Sequence, residues 1–141
     1  MKKVLMILTI CLGVLVVTGC GKTQKLNCSR EEDTMKIEMN FTFKSDKVTG
    51  LVLNYKLDLS EYNDIQLEAV GKQDFCSVLK SSLAEYGEAF NNCSQKIESK
   101  NLYVTTDLDI DELSDGVRAS MSSLEAAKSS MESANYTCTV K

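Results

Sequence analysis

From Met35 to Phe43 apolar and polar side chains alternate without interruption: Met35, Ile37, Met39, Phe41 and Phe43 against Lys36, Glu38, Asn40 and Thr42. A period of two is that of a strand with one buried face. Ser45-Asp46-Lys47 breaks the run with turn-forming residues. After Gly50 it resumes as Leu51, Leu53, Tyr55, Leu57 and Leu59 against Val52, Asn54, Lys56 and Asp58. Two such runs joined by a short turn predict a hairpin. A shorter segment, Leu26 to Arg30, closed by the acidic turn Glu31-Glu32-Asp33, predicts a strand ahead of the pair.

A sheet with one apolar face has to be covered, and the next segment changes period accordingly. Ser60 and Asn63 are candidate helix caps. Phe75, Leu79, Leu83, Tyr86 and Phe90 then recur at helical spacing, with Gly71 as a candidate break. Beyond Asn91-Asn92 the pattern turns extended again. Ile97, a turn at Asn101, then Leu102, Val104, Leu108 and Ile110 predict a second hairpin, with Thr106 where an apolar residue was due. Val117, Met121, Leu124, Ala127 and Met131 mark a second amphipathic helix, Asn135 ends it, and Tyr136 to Val140 reads as a last short strand. The order βββ-α-ββ-α-β predicts an α+β two-layer sandwich with a mainly antiparallel sheet and two helices on one face.

The chain ahead of Leu26 follows a different logic. Lys2 and Lys3 precede a fourteen-residue apolar run, Val4 to Val17, interrupted only by Thr9 and Gly13, and Val17-Thr18-Gly19-Cys20 follows. The run is shorter than the ~20 apolar residues needed to span a bilayer and carries no stop-transfer flank, so it reads as a signal peptide. Val-Thr-Gly-Cys resembles the lipobox of bacterial lipoproteins, whose cysteine receives a diacylglyceryl group before cleavage ahead of it. That resemblance implies a signal peptide over 1–19, lipidation at Cys20, a spacer over 20–25, and a single domain over 26–141. It also places the protein on the extracytoplasmic side of the cell membrane. Two acyl chains suffice for stable anchoring. A plain secretory signal with an incidental Cys20 is the competing reading.

Charge and composition narrow the function. The whole chain carries a net charge of −4, and loss of Lys2 and Lys3 would leave 14 basic against 20 acidic side chains, or about −6. This balance disfavours nucleic acid and makes an anionic membrane surface a repelling neighbour. The absence of His excludes imidazole acid-base chemistry and His-ligated metals within the chain. Outside the leader and Cys20 there are four cysteines, Cys28, Cys76, Cys93 and Cys138, with no Cys-x-x-Cys among them. An even number in an exported chain points to two disulfides in one of three connectivities. First and last strands that neighbour each other in a sheet would bring Cys28 to Cys138. Cys76 would then pair with Cys93, provided the intervening helix ends early enough for the chain to double back, for example at Gly87.

Asp107, Asp109, Asp111, Glu112 and Asp115 form the densest polar cluster. As an EF-hand loop it fails, because Glu112 and Arg118 stand where Gly and Glu are required. As a carboxylate pair on one strand, residues two apart would lie ~6.8 Å from each other. A solvated strand leading into a helix start is the simpler reading. The many serines have neither a nucleophile-elbow motif nor a His base.

The lipobox, a cysteine-bearing strand soon after it, the alternating strand pair, and a last helix leading into Tyr136-Thr137-Cys138 together resemble the small YehR-like bacterial lipoproteins. The resemblance implies this fold and address and no established activity, and Cys76 with Cys93 is additional to the family's two-cysteine pattern. The expectation for function is a non-enzymatic envelope lipoprotein that presents a surface for a protein or small ligand and uses no cofactor. The alternative is a metal-binding lipoprotein using segment 107–115 or free cysteines.

Overall fold

Three consecutive strands, β1 (Thr23–Glu32), β2 (Met35–Lys44) and β3 (Lys47–Asp58), form an antiparallel meander. The computed structural model describes residues 21–141, so Cys20 and the segment 1–19 lie outside the described residues. A second hairpin, β4 (Phe90–Glu98) and β5 (Asn101–Leu108), joins through β5 to β3. The last strand, β6 (Thr137–Val140), pairs with β1. The result is one six-stranded sheet of order β4-β5-β3-β2-β1-β6, antiparallel at every pairing. β1 begins at Thr23, three residues ahead of the start its apolar pattern gave, because its ladder with β2 runs on past Leu26 to the pair Thr23–Lys44.

The period-two pattern places its apolar residues in rows across the strands. Leu26, Phe41, Leu51 and Leu108 lie in one row, and Cys28, Met39, Leu53 and Thr106 in the next. All eight are buried. Phe43, fully buried and 6.2 Å from Phe41 between ring centroids, extends this core toward the β2–β3 turn. Removing such a side chain from water is worth about 2–3 kcal/mol. Val48 and Leu51 both pack on the core although they are three residues apart, because Thr49 is an extra residue between the pairs Phe43–Val48 and Thr42–Gly50.

Four short helices replace the two that periodicity predicts, and caps written in the sequence explain the divisions. α1 (Asp64–Gly71) starts at Asn63, whose side chain and that of Gln66 form a reciprocal capping box, and it stops at Gly71. α2 (Phe75–Ser82) starts at Asp74, which accepts the Ser77 amide, and gives way to a 3-10 turn over Ala84–Ala89. α2 therefore ends five residues before Gly87. After a short 3-10 turn (Ile110–Glu112), α3 (Asp115–Ser120) is capped by Ser114 and α4 (Leu124–Ser133) by Ser123. Asn135 closes this segment with a φ of 65°. Leu79, Ala127 and Met131 of the helices, and Met121 just past the end of α3, pack on the apolar face of the sheet, so the architecture is the expected α+β arrangement with the helices on one side. No helix among the described residues is long and apolar enough to cross a membrane.

Candidate functional site

The helices are tied to opposite edges of the sheet, and this leaves the Met35, Ile37 and Tyr55 end of its inner face only partly covered. α2 packs on β4 and α4 packs on β1 and β6. Gln95 of β4 fixes the start of α2, donating to Gln73 O at 2.7 Å and accepting the Phe75 amide at 2.7 Å. The disulfide between Cys76 and Cys93 adds a covalent tie on the same side, spanning a sequence separation of 17 with the Cα atoms 5.9 Å apart. On the other edge, Cys28 and Cys138 are joined across β1 and β6. Because Lys25 and Lys141 form a hydrogen-bonded pair, the directly opposed Cys28 and Cys138 three residues further on fall at a non-hydrogen-bonded position, where side chains approach most closely.

Between these two anchored layers runs an apolar cleft of about 360 Å³. Its floor is Met35, Ile37 and Met39 of β2, Leu53 and Tyr55 of β3, and Val104 of β5. Phe75, Val78, Leu79, Ser82 and Leu83 form one wall and Tyr136 forms the other. Val78, 54% exposed, stands at the rim. Burial pushes the phenols of Tyr55 and Tyr136 above their ordinary value, and for Tyr136 the neighbouring Arg30 opposes this slightly. Both therefore stay protonated at neutral pH. A volume of this size with few polar groups suits a small ligand with an apolar body.

Thr106, the polar residue at an apolar position, explains how β4 reaches α2. Asn92 and Cys93 together oppose Thr106, an extra residue that shifts the register of β4 between Asn91 and Ser94, with Asn92 at a φ of 48°. The bulge turns Cys93 toward the helices, where it and Cys76 pack around Leu59, Leu102 and Val104. The fully buried Thr106 hydroxyl donates to Asn91 O at 2.9 Å and so satisfies a carbonyl at the disrupted pairing. Thr106→Val keeps the shape and removes the donor, and it should destabilise the domain by about 1–3 kcal/mol in urea denaturation. A neutral result would mean that water serves this carbonyl equally well.

The acidic segment does not converge on a centre. β5 ends at Leu108, so Asp107 and Asp109 do not share a strand face, and the paired-carboxylate geometry is absent. Asp109 caps the following 3-10 turn by accepting the Asp111 amide at 3.0 Å. Asp115 pairs with Arg118 at 2.6 Å, and Glu112 is exposed. Asp107, Asp109 and Asp111 border an open, largely polar depression of about 470 Å³ with Asn91, Asn92 and Thr49. No three acidic or thiol side chains come together as a metal site among the described residues. The disulfides use all four sulfurs that a thiolate metal site would need, which corrects the free-cysteine alternative.

Comparison with known proteins bears on the fold. No family model matches the chain, and no curated protein matches it. Among solved structures it is similar to the solution structure of the E. coli YehR protein, at 14% identity and a TM-score of 0.53, over 84% of this chain and 92% of that one. A protein from Streptococcus pneumoniae TIGR4, also solved by NMR, aligns over 80% of this chain and 72% of its own at 20% identity, with a TM-score of 0.39. The described domain has a YehR-like fold.

Proposed function

We propose that this chain is a lipid-anchored envelope protein, related to the YehR-like lipoproteins, whose domain is a non-enzymatic module that binds a small apolar ligand. The anchoring part rests on the basic start, the apolar run and Val17-Thr18-Gly19-Cys20. The observation that carries the binding part is the cleft between α2 and Tyr136, open to solvent at Val78 and floored by side chains from three strands. Apolar surface in the cleft supplies affinity in proportion to the area a ligand covers. The clustered acids and serines are engaged in caps, ion pairs and solvated faces, which favours binding over catalysis.

A neutral naphthyl fluorophore that brightens in apolar surroundings tests the binding part. The full chain should bind it saturably at one site. Ile37→Trp, which fills the floor, and Val78→Glu, which places a charge at the rim, should each weaken binding by tenfold or more, equivalent to about 1.4 kcal/mol. Undiminished binding in both variants would exclude the cleft as the site.

A further inference from the structure

The corner of the sheet from which the chain leads to Cys20 has a charge opposite in sign to that of the whole protein. Lys22, Lys25, Lys44 and Lys47 are all exposed there, and among the described residues none of the four is in an ion pair. Register holds them together. Lys44 is opposite Lys47, Lys25 is opposite Thr42, and all three alternate with the buried Leu26, Phe41 and Phe43, which puts them on the face away from the helices. The Ser45 amide donates to Lys22 O, tying Lys22 to the β2–β3 turn, and Lys44 Cε lies 3.7 Å from where a Cβ on Gly21 would be.

The acids offset this corner only in part. Asp46, in the same turn, keeps its negative charge but directs its carboxylate to the start of α4, accepting the Leu124 amide at 2.9 Å, so four lysines face one acid in the turn. Asp107, Asp109 and Asp111 border the depression beside Val48 and Thr49 and so lie on the Lys47 side of the corner, whereas Asp107 is two strands, about 10 Å, from β2, which carries Lys44, and further from β1, which carries Lys25. A net charge of about −6 for the mature chain thus conceals a basic corner, and the uniform repulsion inferred from composition does not hold locally.

We propose that Lys22, Lys25, Lys44 and Lys47 form a docking surface for anionic phospholipid head groups, which orients the domain on the membrane with its basic corner down. The proposal rests on the reading of Cys20 as the anchor. Three peptide units separate Cys20 from Thr23, at most about 11 Å, so a lipid at Cys20 keeps the four ammonium groups beside the bilayer surface. Each lysine held near such a surface gains about five-fold in partition toward it, an effect that salt removes. On this geometry the end of the sheet bearing Met35 points away from the bilayer. Between the level of Thr23 and that of Arg30, which pairs with Ile37, seven strand residues span about 24 Å, and the cleft is therefore presented to the space beyond the membrane.

Lysine labelling with an amine-reactive reagent, read residue by residue by mass spectrometry, tests the proposal on the full mature protein purified from membranes. Its intact mass first establishes the acyl group on Cys20. The protein is then reconstituted in vesicles of phosphatidylcholine alone or mixed with phosphatidylglycerol. Labelling of Lys22, Lys25, Lys44 and Lys47 should slow about five-fold on the anionic vesicles. Lys72 and Lys100 should be unaffected, and high salt should abolish the difference. The double substitution Lys44→Gln/Lys47→Gln, at two exposed positions, should release Lys22 and Lys25. Equal labelling on both vesicles with the acyl mass present, or protection that survives the double substitution, would overturn the proposal and leave the anchor reading intact. A missing acyl mass would overturn both.

Discussion

Replacing Cys28 and Cys138 together by serine should lower the unfolding free energy by about 4–5 kcal/mol. The bridge closes a loop over a sequence separation of 110, almost the whole domain, and so removes a large share of the conformations open to the unfolded chain. It also holds β6, a four-residue edge strand whose pairing with β1 is its only ladder. The Cys76–Cys93 bridge closes a loop of only 17 residues, and its removal should cost less, about 3 kcal/mol. Urea denaturation of the two double variants measures the difference. A larger loss on removing Cys76 and Cys93 would mean that positioning α2 against β4 matters more to stability than constraining the chain ends.

Different parts of this architecture were legible in the sequence to different degrees. Strand alternation is strict because one face of the sheet is packed and the other is open. Met35 to Phe43 could therefore be assigned residue by residue, and the structure keeps every odd position of that run on the inner side. Helix boundaries were harder. The apolar periodicity from Phe75 to Phe90 continues through a helix, a 3-10 turn and the first residue of β4, since all three place side chains against the same core. Of the two candidate caps, Asn63 does start a helix, whereas the caps that divide the longer apolar series, Asp74 and Ser123, emerge only in the structure.

The cleft left a fainter trace. Concavity arises from the distance between two helical layers, each tied to its own sheet edge, and no residue pattern encodes that distance. Val78 was the available clue. It stands one place ahead of Leu79 on α2, outside the regular apolar series, and remains exposed. Thr106 was legible as an anomaly but not as a cause, because the bulge it serves depends on a register that is set only when β4 pairs with β5. The basic corner was hidden for a similar reason: Lys22, Lys25, Lys44 and Lys47 come from three segments, and composition sums over them. The acidic run 107–115 is dispersed over a strand end, a cap and an ion pair, in keeping with its simpler reading as a solvated strand leading into a helix start.

Gly21 and Lys22 alone separate Cys20 from the first strand. On the proposed reading a lipid on Cys20 would hold the sheet at the membrane with almost no linker, so that the orientation of the domain, the outward presentation of the cleft and the apposition of the lysines to head groups would all depend on that one residue. Lipidation at Cys20 is also expected to be all-or-none, since the thiol is the acceptor and serine or alanine cannot replace it. Metabolic labelling with an alkyne palmitate analogue, comparing the full chain with Cys20→Ala in the expressing bacterium, measures this directly. The wild-type chain should incorporate label and shorten by nineteen residues, while Cys20→Ala should take up none and accumulate as unprocessed precursor. Normal processing and labelling of Cys20→Ala would contradict the account.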